Sequence, residues 1–286
     1  MPSHPDPSRA ELIRAELIRE WESYLSFLSD HDLEEVYDDA PHNRLLAENK
    51  SRSAPLTAQS ATATVTPLPG GVRVNALRPE TLKNFNLDLA VASASAIAAS
   101  APDVNTLYAA LENFPDIPLR YEGGKGLIRG RGHTAGGLLI VGDIPDADED
   151  EAQEAFAGKA GRLTGTALDA LGLKDTTTCL PGLFWRPTGG RPATDEDIRL
   201  TTPFTRRLIE LLSPRAIVLC GATAVRVVLE STDSVQKLRG TAHSLPRPDG
   251  RPTPVFVTFP PALLLRQPLA KKAFWADLLL ASDDPA

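Results

Sequence analysis

The sequence predicts an α/β fold: a three-layer sandwich with a small central parallel sheet, preceded by an N-terminal helical arm. Two observations support this prediction. Short apolar runs that suit buried strands alternate with longer segments whose apolar residues recur at helical spacing. Such alternation is typical of a parallel sheet that is covered by helices on both faces, with right-handed crossovers between its strands.

The predicted elements follow in a regular order. Strands are predicted at 138–141, 177–184, 216–220 and 255–259, and helices at 158–171, 195–212, 222–229 and 269–280. Two Ala-rich helices are predicted earlier, around 80–100 and 103–113. Pro260 and Pro261 end the last strand in an extended turn, because proline lacks a backbone N–H and disfavours helix in the residue before it.

Three regions are predicted along the chain. Residues 1–48 form an acidic amphipathic arm, capped by Ser8, whose apolar residues at helical spacing are Leu12, Ile13, Leu17, Ile18, Trp21 and Leu25. Residues 49–78 are rich in Ser, Thr, Ala and Pro, which is typical of a flexible linker. Residues 79–286 form the main domain.

Composition excludes several classes of protein. The chain has 286 residues, 42% hydrophobic and 23% charged, as expected of a globular protein. No apolar run is long enough to span a membrane, and no signal peptide is visible. The two cysteines, Cys179 and Cys220, lie in strand-like runs, which argues against a disulfide framework or a thiolate metal site. We therefore expect a cytoplasmic protein without metal.

The net charge of −7 is unevenly distributed. Acidic residues concentrate in the first fifty positions and in the segment "DIPDADEDEAQE", whereas arginines are frequent in the C-terminal half. Local basic patches can bind phosphate even when the whole chain is acidic. The alternative, that these charges are ordinary solvated faces, stays open at this point.

Polar residues follow several of the predicted strands. Asp143 comes directly after the first strand, at the edge where open α/β sheets bind ligands, although a role as a turn or cap residue is the alternative. The segments "GLFWRPTGGR", "KLRG" and "LLLRQP" place arginines in loops, where their forked side chains suit phosphate.

Taken together and in order, these segments resemble the family 4 uracil-DNA glycosylases. The stretches "GDIPDADED", "AFAGKAGRL", "WRPTGGRPATDEDI", "KLRG" and "TFPPALLLRQP" carry the resemblance, which covers about residues 104 to 280. Enzymes of this superfamily flip a deaminated base out of DNA and hydrolyse its N-glycosidic bond with water. The resemblance implies that Asp143 occupies the acidic catalytic position.

The resemblance also implies a base pocket formed by Ile144, Phe156, Pro181 and Pro260. Phe156 keeps the aromatic that stacks on the base, unless it is a structural residue beneath the acidic loop. Pro181 stands where the family has the asparagine that hydrogen-bonds the base edge, and Pro260 where it has the histidine that stabilises the departing base. Losing one such donor typically lowers the rate by about 10²- to 10³-fold.

Family members commonly hold an iron–sulfur cluster on four cysteines. The matching places here include Ile117, Trp185 and Thr201, so we expect no cluster and no other cofactor. Asp146 replaces a glycine near the substrate, and we expect its carboxylate to repel phosphate.

The expected partner is DNA, single- or double-stranded. The residues expected to bind it are Arg186, Arg239, Gly240, Leu264, Arg266, Lys271 and Lys272. We expect a DNA-binding repair protein whose excision of uracil is weak or lost. The alternatives are an active glycosylase for another damaged base that works with Asp143, and a protein-interaction module on the same scaffold, with the arm as a site for a protein partner. A nucleotide-binding protein is disfavoured, because no Gly-rich fingerprint follows the first strand.

Overall fold

The structure is a computed structural model, and it describes residues 85–132, 135–247 and 250–282. The arm predicted at 1–48 and the linker predicted at 49–78 lie outside these residues. The first residues of the predicted main domain, 79–84, also lie outside them, so the domain boundaries stay predictions.

The described residues form strands and helices in the predicted alternation. The strands are β1 (Leu138–Val141), β2 (Thr177–Leu180), β3 (Ala216–Cys220), β4 (His243–Leu245) and β5 (Thr253–Thr258). The α-helices are α1 (Leu87–Ser100), α2 (Val104–Asn113), α3 (Ala147–Ala152), α4 (Gly158–Ala170), α5 (Asp195–Leu212), α6 (Ala222–Leu229), α7 (Val235–Leu238), α8 (Pro261–Arg266) and α9 (Ala270–Ser282). Short 3-10 turns lie at Pro118–Tyr121, Lys174–Thr176 and Thr188–Gly190.

The strands form one sheet with the order β2-β1-β3-β5-β4. The first four strands in this order are parallel, and β4 pairs antiparallel with β5 at the edge. The chain runs from β1 outward to β2 and then returns to β3 on the other side of β1. The boundary between β1 and β3 is therefore the point where the strand order reverses, which is where open α/β sheets bind ligands.

Alternate residues of the buried strands face two separate apolar clusters. Leu139 and Val141 of β1 pack with α1, α2, α5 and α6, whereas Leu138 and Ile140 pack with α4, α8 and α9. Because side chains alternate along a strand, a strand covered on both faces is apolar at every position. This arrangement confirms the predicted three-layer α/β sandwich.

Several boundaries differ from the predicted ones. The strand predicted at 177–184 ends at Leu180, because Pro181 offers no N–H to continue the ladder. Pro260 is extended (φ −68°, ψ 137°), as predicted, but Pro261 begins α8, since proline is well tolerated in the first turn of a helix. The edge strand β4 and the short helices α3, α7 and α8 were not predicted. Among the described residues, no helix is both long and apolar enough to cross a membrane.

Candidate active site and nucleic-acid interface

The parallel register brings the predicted site residues to one edge of the sheet. Val141 pairs with Leu180 and with Leu219, and Cys220 pairs with Thr258, so the carboxyl ends of four strands lie side by side. The loops that leave these ends carry Asp143, Pro181, Gly221 and Pro260. The sheet therefore assembles one candidate site from segments that are far apart in the sequence.

Asp143 lies in the crevice between β1 and β3, and its side chain caps α6. Its Oδ1 accepts a hydrogen bond from the backbone N–H of Thr223, at 3.0 Å. The N-cap residue of α6, Gly221, has no side chain to do this, and its φ of 109° lies in the region that favours glycine. A Cβ at Gly221 would overlap the Asp143 carboxylate. The helix N-terminus thus binds the negative charge of Asp143 and fixes its direction.

Pro181 is fully packed behind the acidic loop. The next residue, Gly182, donates its N–H to the carbonyl oxygen of Asp143 at 3.1 Å, and a Cβ there would overlap the carbonyls of Gly142 and Asp143. Pro181 itself is buried and has no polar side-chain atom. Nothing in the Pro181 side chain can hydrogen-bond a base edge, as the sequence predicts.

Phe156 packs beneath the acidic loop. The residue is 4% exposed, belongs to the apolar cluster around α4, α8 and α9, and has its ring edge against Gly142. Its backbone is held at φ 57° and donates its N–H to Glu149 Oε1 at 2.6 Å. These contacts fit a structural role, and stacking of the ring on a base stays a prediction. Ile144 is half-buried and packs on the cluster on the opposite face of the sheet.

Asp146 has a structural role that sequence reasoning missed. Its Oδ1 accepts from the N–H groups of Asp148 and Glu149, and Glu149 Oε2 accepts from the N–H of Asp146, forming a capping box at the start of α3. The spacing of Asp146 and Glu149 in "DADE" is the sequence signature of a capping box. Burial raises the pKa of Glu149, and the hydrogen bonds from Asp146 and Phe156 oppose the rise. The carboxylate of Asp146 is therefore engaged within its own loop.

Arg239 is occupied inside the protein. Its Nε and Nη2 each donate to the Asp277 carboxylate at 3.1 Å, and Nη2 also donates to the carbonyl of Ala273. Asp277 accepts a further hydrogen bond from Thr258 Oγ1 at 2.8 Å, and it is buried on α9. Burial raises the pKa of Asp277, while the bonds from Thr258 and Arg239 oppose this. The Nε and Nη2 side of the guanidinium is thus paired within the protein, and a contact of Arg239 with the DNA backbone stays a prediction.

Two further predicted DNA contacts are contradicted by burial. Leu264 and Lys271 are each 0% exposed, and Leu264 belongs to the core. The prediction that they touch DNA is wrong, because a wedge or a phosphate ligand has to reach the surface. Leu264 lies on the side of α8 that packs on the core, and only the other side of this helix faces outward.

Other residues of the same segment are accessible. Arg266 and Lys272 are exposed, and Leu265 and Leu269 expose 44% and 84% of their surface. Leu269 was not predicted as a site residue. Gly240 is exposed, and Arg186 is half-buried with its Nε lacking a hydrogen-bond partner among the described residues. An exposed apolar pair beside cations suits a surface that wedges a base step open and contacts phosphates.

The positions that match the family's cluster ligands are part of the interior. Ile117, Trp185 and Thr201 are 4%, 4% and 5% exposed, and none of them carries a thiolate. Cys179 and Cys220 are buried within β2 and β3. Iron–sulfur clusters need several thiolates that converge on one point, so these residues do not fit such a group. Within the described ranges, no three His, Cys, Asp or Glu side chains converge to hold a metal ion.

Comparison with known proteins agrees with the predicted family. The sequence model of the uracil DNA glycosylase superfamily matches residues 130–279, which is slightly over half of the chain. The chain therefore belongs to the uracil-DNA glycosylase superfamily, as its motifs predict.

Within that superfamily, the chain is similar to proteins named type-4 uracil-DNA glycosylase. The protein from Pyrobaculum aerophilum is 28% identical over 184 residues, which cover 62% of this chain and 92% of the relative. The one from Archaeoglobus fulgidus is 25% identical over 155 residues, covering 52% and 77%. The one from Thermotoga maritima is 29% identical over 142 residues, covering 49% and 72%.

The packing of Asp143 on Gly221 leads to a stability prediction. We expect Gly221→Ala to lower the free energy of unfolding by about 1–3 kcal/mol, because alanine at this φ is strained and its Cβ displaces the carboxylate. Urea unfolding followed by circular dichroism measures this change. The control is Gly165→Ala in α4, where a Cβ meets nothing within 4 Å. This variant should be neutral or more stable by up to about 1 kcal/mol. Equal destabilisation by both variants would contradict the proposed packing.

The lack of thiolates at Ile117, Trp185 and Thr201, the positions that match the family's iron–sulfur ligands, leads to a second prediction. Protein purified without oxygen should contain no stoichiometric iron and show no absorbance near about 400 nm, roughly where thiolate-bound clusters absorb. Metal analysis and the visible spectrum measure this. The spectrum of the same sample should not change on addition of dithionite. Iron bound in fixed proportion, together with a band that bleaches on reduction, would overturn the prediction.

Proposed function

We propose that this chain is a DNA-binding member of its superfamily whose excision of uracil is weak or lost. One observation carries the proposal: Pro181 and Pro260, at the strand ends where we propose the base pocket, have no side-chain hydrogen-bond donor. A flipped base is selected by hydrogen bonds to its edge, and the charge on a departing base requires a donor. The side chains of Pro181 and Pro260 can provide neither the hydrogen bond to the base edge nor the donor to the departing base.

Asp143 keeps one part of the chemistry. Hydrolysis of an N-glycosidic bond needs a carboxylate that orients water or stabilises a cationic sugar. One oxygen of Asp143 binds the N–H of Thr223, and the other lies against Gly221, so the group is held rigidly at the β1–β3 crevice. This rigidity supports a second candidate function, excision of a different damaged base that departs without a donor at position 260.

The proposed DNA surface is the segment from α8 to α9. It offers the exposed side chains of Leu265, Arg266, Leu269 and Lys272, next to Pro260 at the sheet edge. Apolar side chains can unstack a base step at a cost of a few kcal/mol, and cations contribute phosphate contacts that depend on salt. Arg186 and Gly240 stay proposed contacts at neighbouring loops. Family membership and the names of the relatives support DNA as the partner.

The catalytic proposal is tested with oligonucleotides that carry uracil, hypoxanthine or hydroxymethyluracil. We expect Pro260→His to raise uracil excision by about 10²- to 10³-fold, because it restores the missing donor. Asp143→Asn should abolish any residual excision, since asparagine can still accept from Thr223 but carries no charge. The control is Pro102→His, which changes an exposed proline before α2.

Each measurement in this experiment has an outcome that would contradict the proposal. If Asp143→Asn excises bases at the original rate, Asp143 has no part in the mechanism. If the wild-type protein excises uracil rapidly and Pro260→His leaves the rate unchanged, the missing donor does not limit the reaction. Rapid excision of hypoxanthine or hydroxymethyluracil alone would favour the second candidate function.

DNA binding is tested separately from excision. The double variant Arg266→Ala with Lys272→Ala should weaken binding and reduce the salt slope by about two, given about 0.9 per phosphate contact. Fluorescence anisotropy at several salt concentrations measures both effects. The matched control, Lys174→Ala with Arg215→Ala, removes two cations that precede β2 and β3, at the opposite edge of the sheet. If binding is absent at low salt, or the two double variants behave alike, a protein-interaction role is the better account.

A further inference from the structure

A groove on the outer helical layer is separate from the site at the sheet edge. It has a volume of about 880 Å³ and lies between α1, α5 and the C-terminal end of α6. The α1 side is formed by Leu87, Val91, Ser95, Ala98 and Ala99. Ile198 and Pro203 of α5 add apolar surface, so small and apolar residues line much of the groove.

Four arginines border this groove: Arg199, Arg206, Arg207 and Arg226. Arg199 and Arg206 form exposed ion pairs with Asp88 and Glu230. Arg207 and Arg226 pair with Glu210 and Asp195, are half-buried, and also donate to the carbonyls of Ala101 and Ala193. Exposed ion pairs contribute little to stability, so another acidic partner can replace the present one at low cost. An apolar floor with an arginine border suits an amphipathic helix that carries acidic residues beside its apolar stripe.

The chain itself contains such a segment. Residues 8–28 carry an apolar stripe from Leu12 to Leu25. Four glutamates (Glu11, Glu16, Glu20 and Glu22) and three arginines (Arg9, Arg14 and Arg19) lie in the same segment, so its net charge is −1. Thirteen steps of an α-helix rise about 20 Å. On α1, the groove extends from Leu87 to Ala99, twelve steps or about 18 Å. The stripe and the groove therefore match in length as well as in character.

The position of the groove also fits. Leu87 is the first residue of α1, so the groove begins where the chain enters the described domain. Residues 29–86 connect the 8–28 segment to α1, and the part at 49–78 has the composition of a flexible linker. A flexible chain of this length spans about 40 Å on average. A tether of this length gives an effective concentration on the order of millimolar, so even weak contacts suffice for docking.

We propose that residues 8–28 bind as an amphipathic helix in the groove between α1, α5 and α6 of the same chain. The apolar stripe covers Leu87, Val91 and Pro203, and the acidic residues pair with the bordering arginines. The groove is lined by the C-terminal end of α6, whereas Asp143 binds the N-terminal end of that helix. A docked arm therefore leaves the sheet edge accessible.

Disulfide trapping in the full-length chain tests this proposal. Both native cysteines are buried, so introduced cysteines react selectively. Leu17→Cys with Ser95→Cys should form an intrachain disulfide about tenfold faster than Leu17→Cys with Ala170→Cys, which lies exposed on α4 in the opposite helical layer. Equal rates for the two pairs would overturn the proposal. A disulfide-linked dimer as the main product would also overturn it, and would assign the groove to a second copy of the chain.

Tryptophan fluorescence gives an independent measurement. Trp21 lies in the apolar stripe, whereas Trp185 and Trp275 are buried in the domain, so acrylamide quenching reports mainly on Trp21. Val91→Asp places a negative charge on the groove floor and should raise the quenching of Trp21 severalfold. Ala92→Asp, at an exposed position of the same helix outside the groove, is the matched control and should leave it unchanged. The same quenching in both variants and the wild type would exclude docking at this surface.

Discussion

The candidate site depends on how closely three strand ends approach each other. After β2, Gly182 lies against the carbonyls that follow β1, and after β3, Gly221 lies against the Asp143 carboxylate. Neither position has space for a Cβ, so the sequence has to supply glycine at both. This packing sets the direction of the Asp143 side chain, the starting point of α6 and the place of Pro181. The geometry of the crevice is therefore a consequence of backbone packing.

The sequence predicted the layers of this fold well, because strands that are buried on both faces leave a strong apolar signal. All four parallel strands were predicted, and the resemblance identified the correct superfamily. The errors lie where a residue's surroundings decide its role. Leu264 and Leu265 are identical in type and adjacent, yet one is buried and the other is 44% exposed. The two residues differ only in that Leu264 lies on the side of α8 that faces the core and Leu265 does not. The local sequence does not indicate which side of α8 that is.

Long-range partners explain the remaining differences. Arg239 looked like a phosphate ligand because it lies in a short loop, but its partner Asp277 lies on α9 and cannot be recognised from either segment alone. Asp143 and Thr223 likewise meet only because β1 and β3 are neighbours in the sheet. The capping box of Asp146 and Glu149 is different, since both residues are close in sequence and their spacing was informative.

The two prolines at the strand ends are compatible with the scaffold. Pro181 follows β2 and the extended Pro260 comes shortly after β5, so each suits the turn that the strand end requires, and neither carries a side-chain hydrogen-bond donor. The residues that maintain the sheet edge, Gly182 and Gly221, remain in place. Exposed cations and leucines lie on α8, α9 and the loop between them, which pack on a different face of the sheet from the α1–α5 groove.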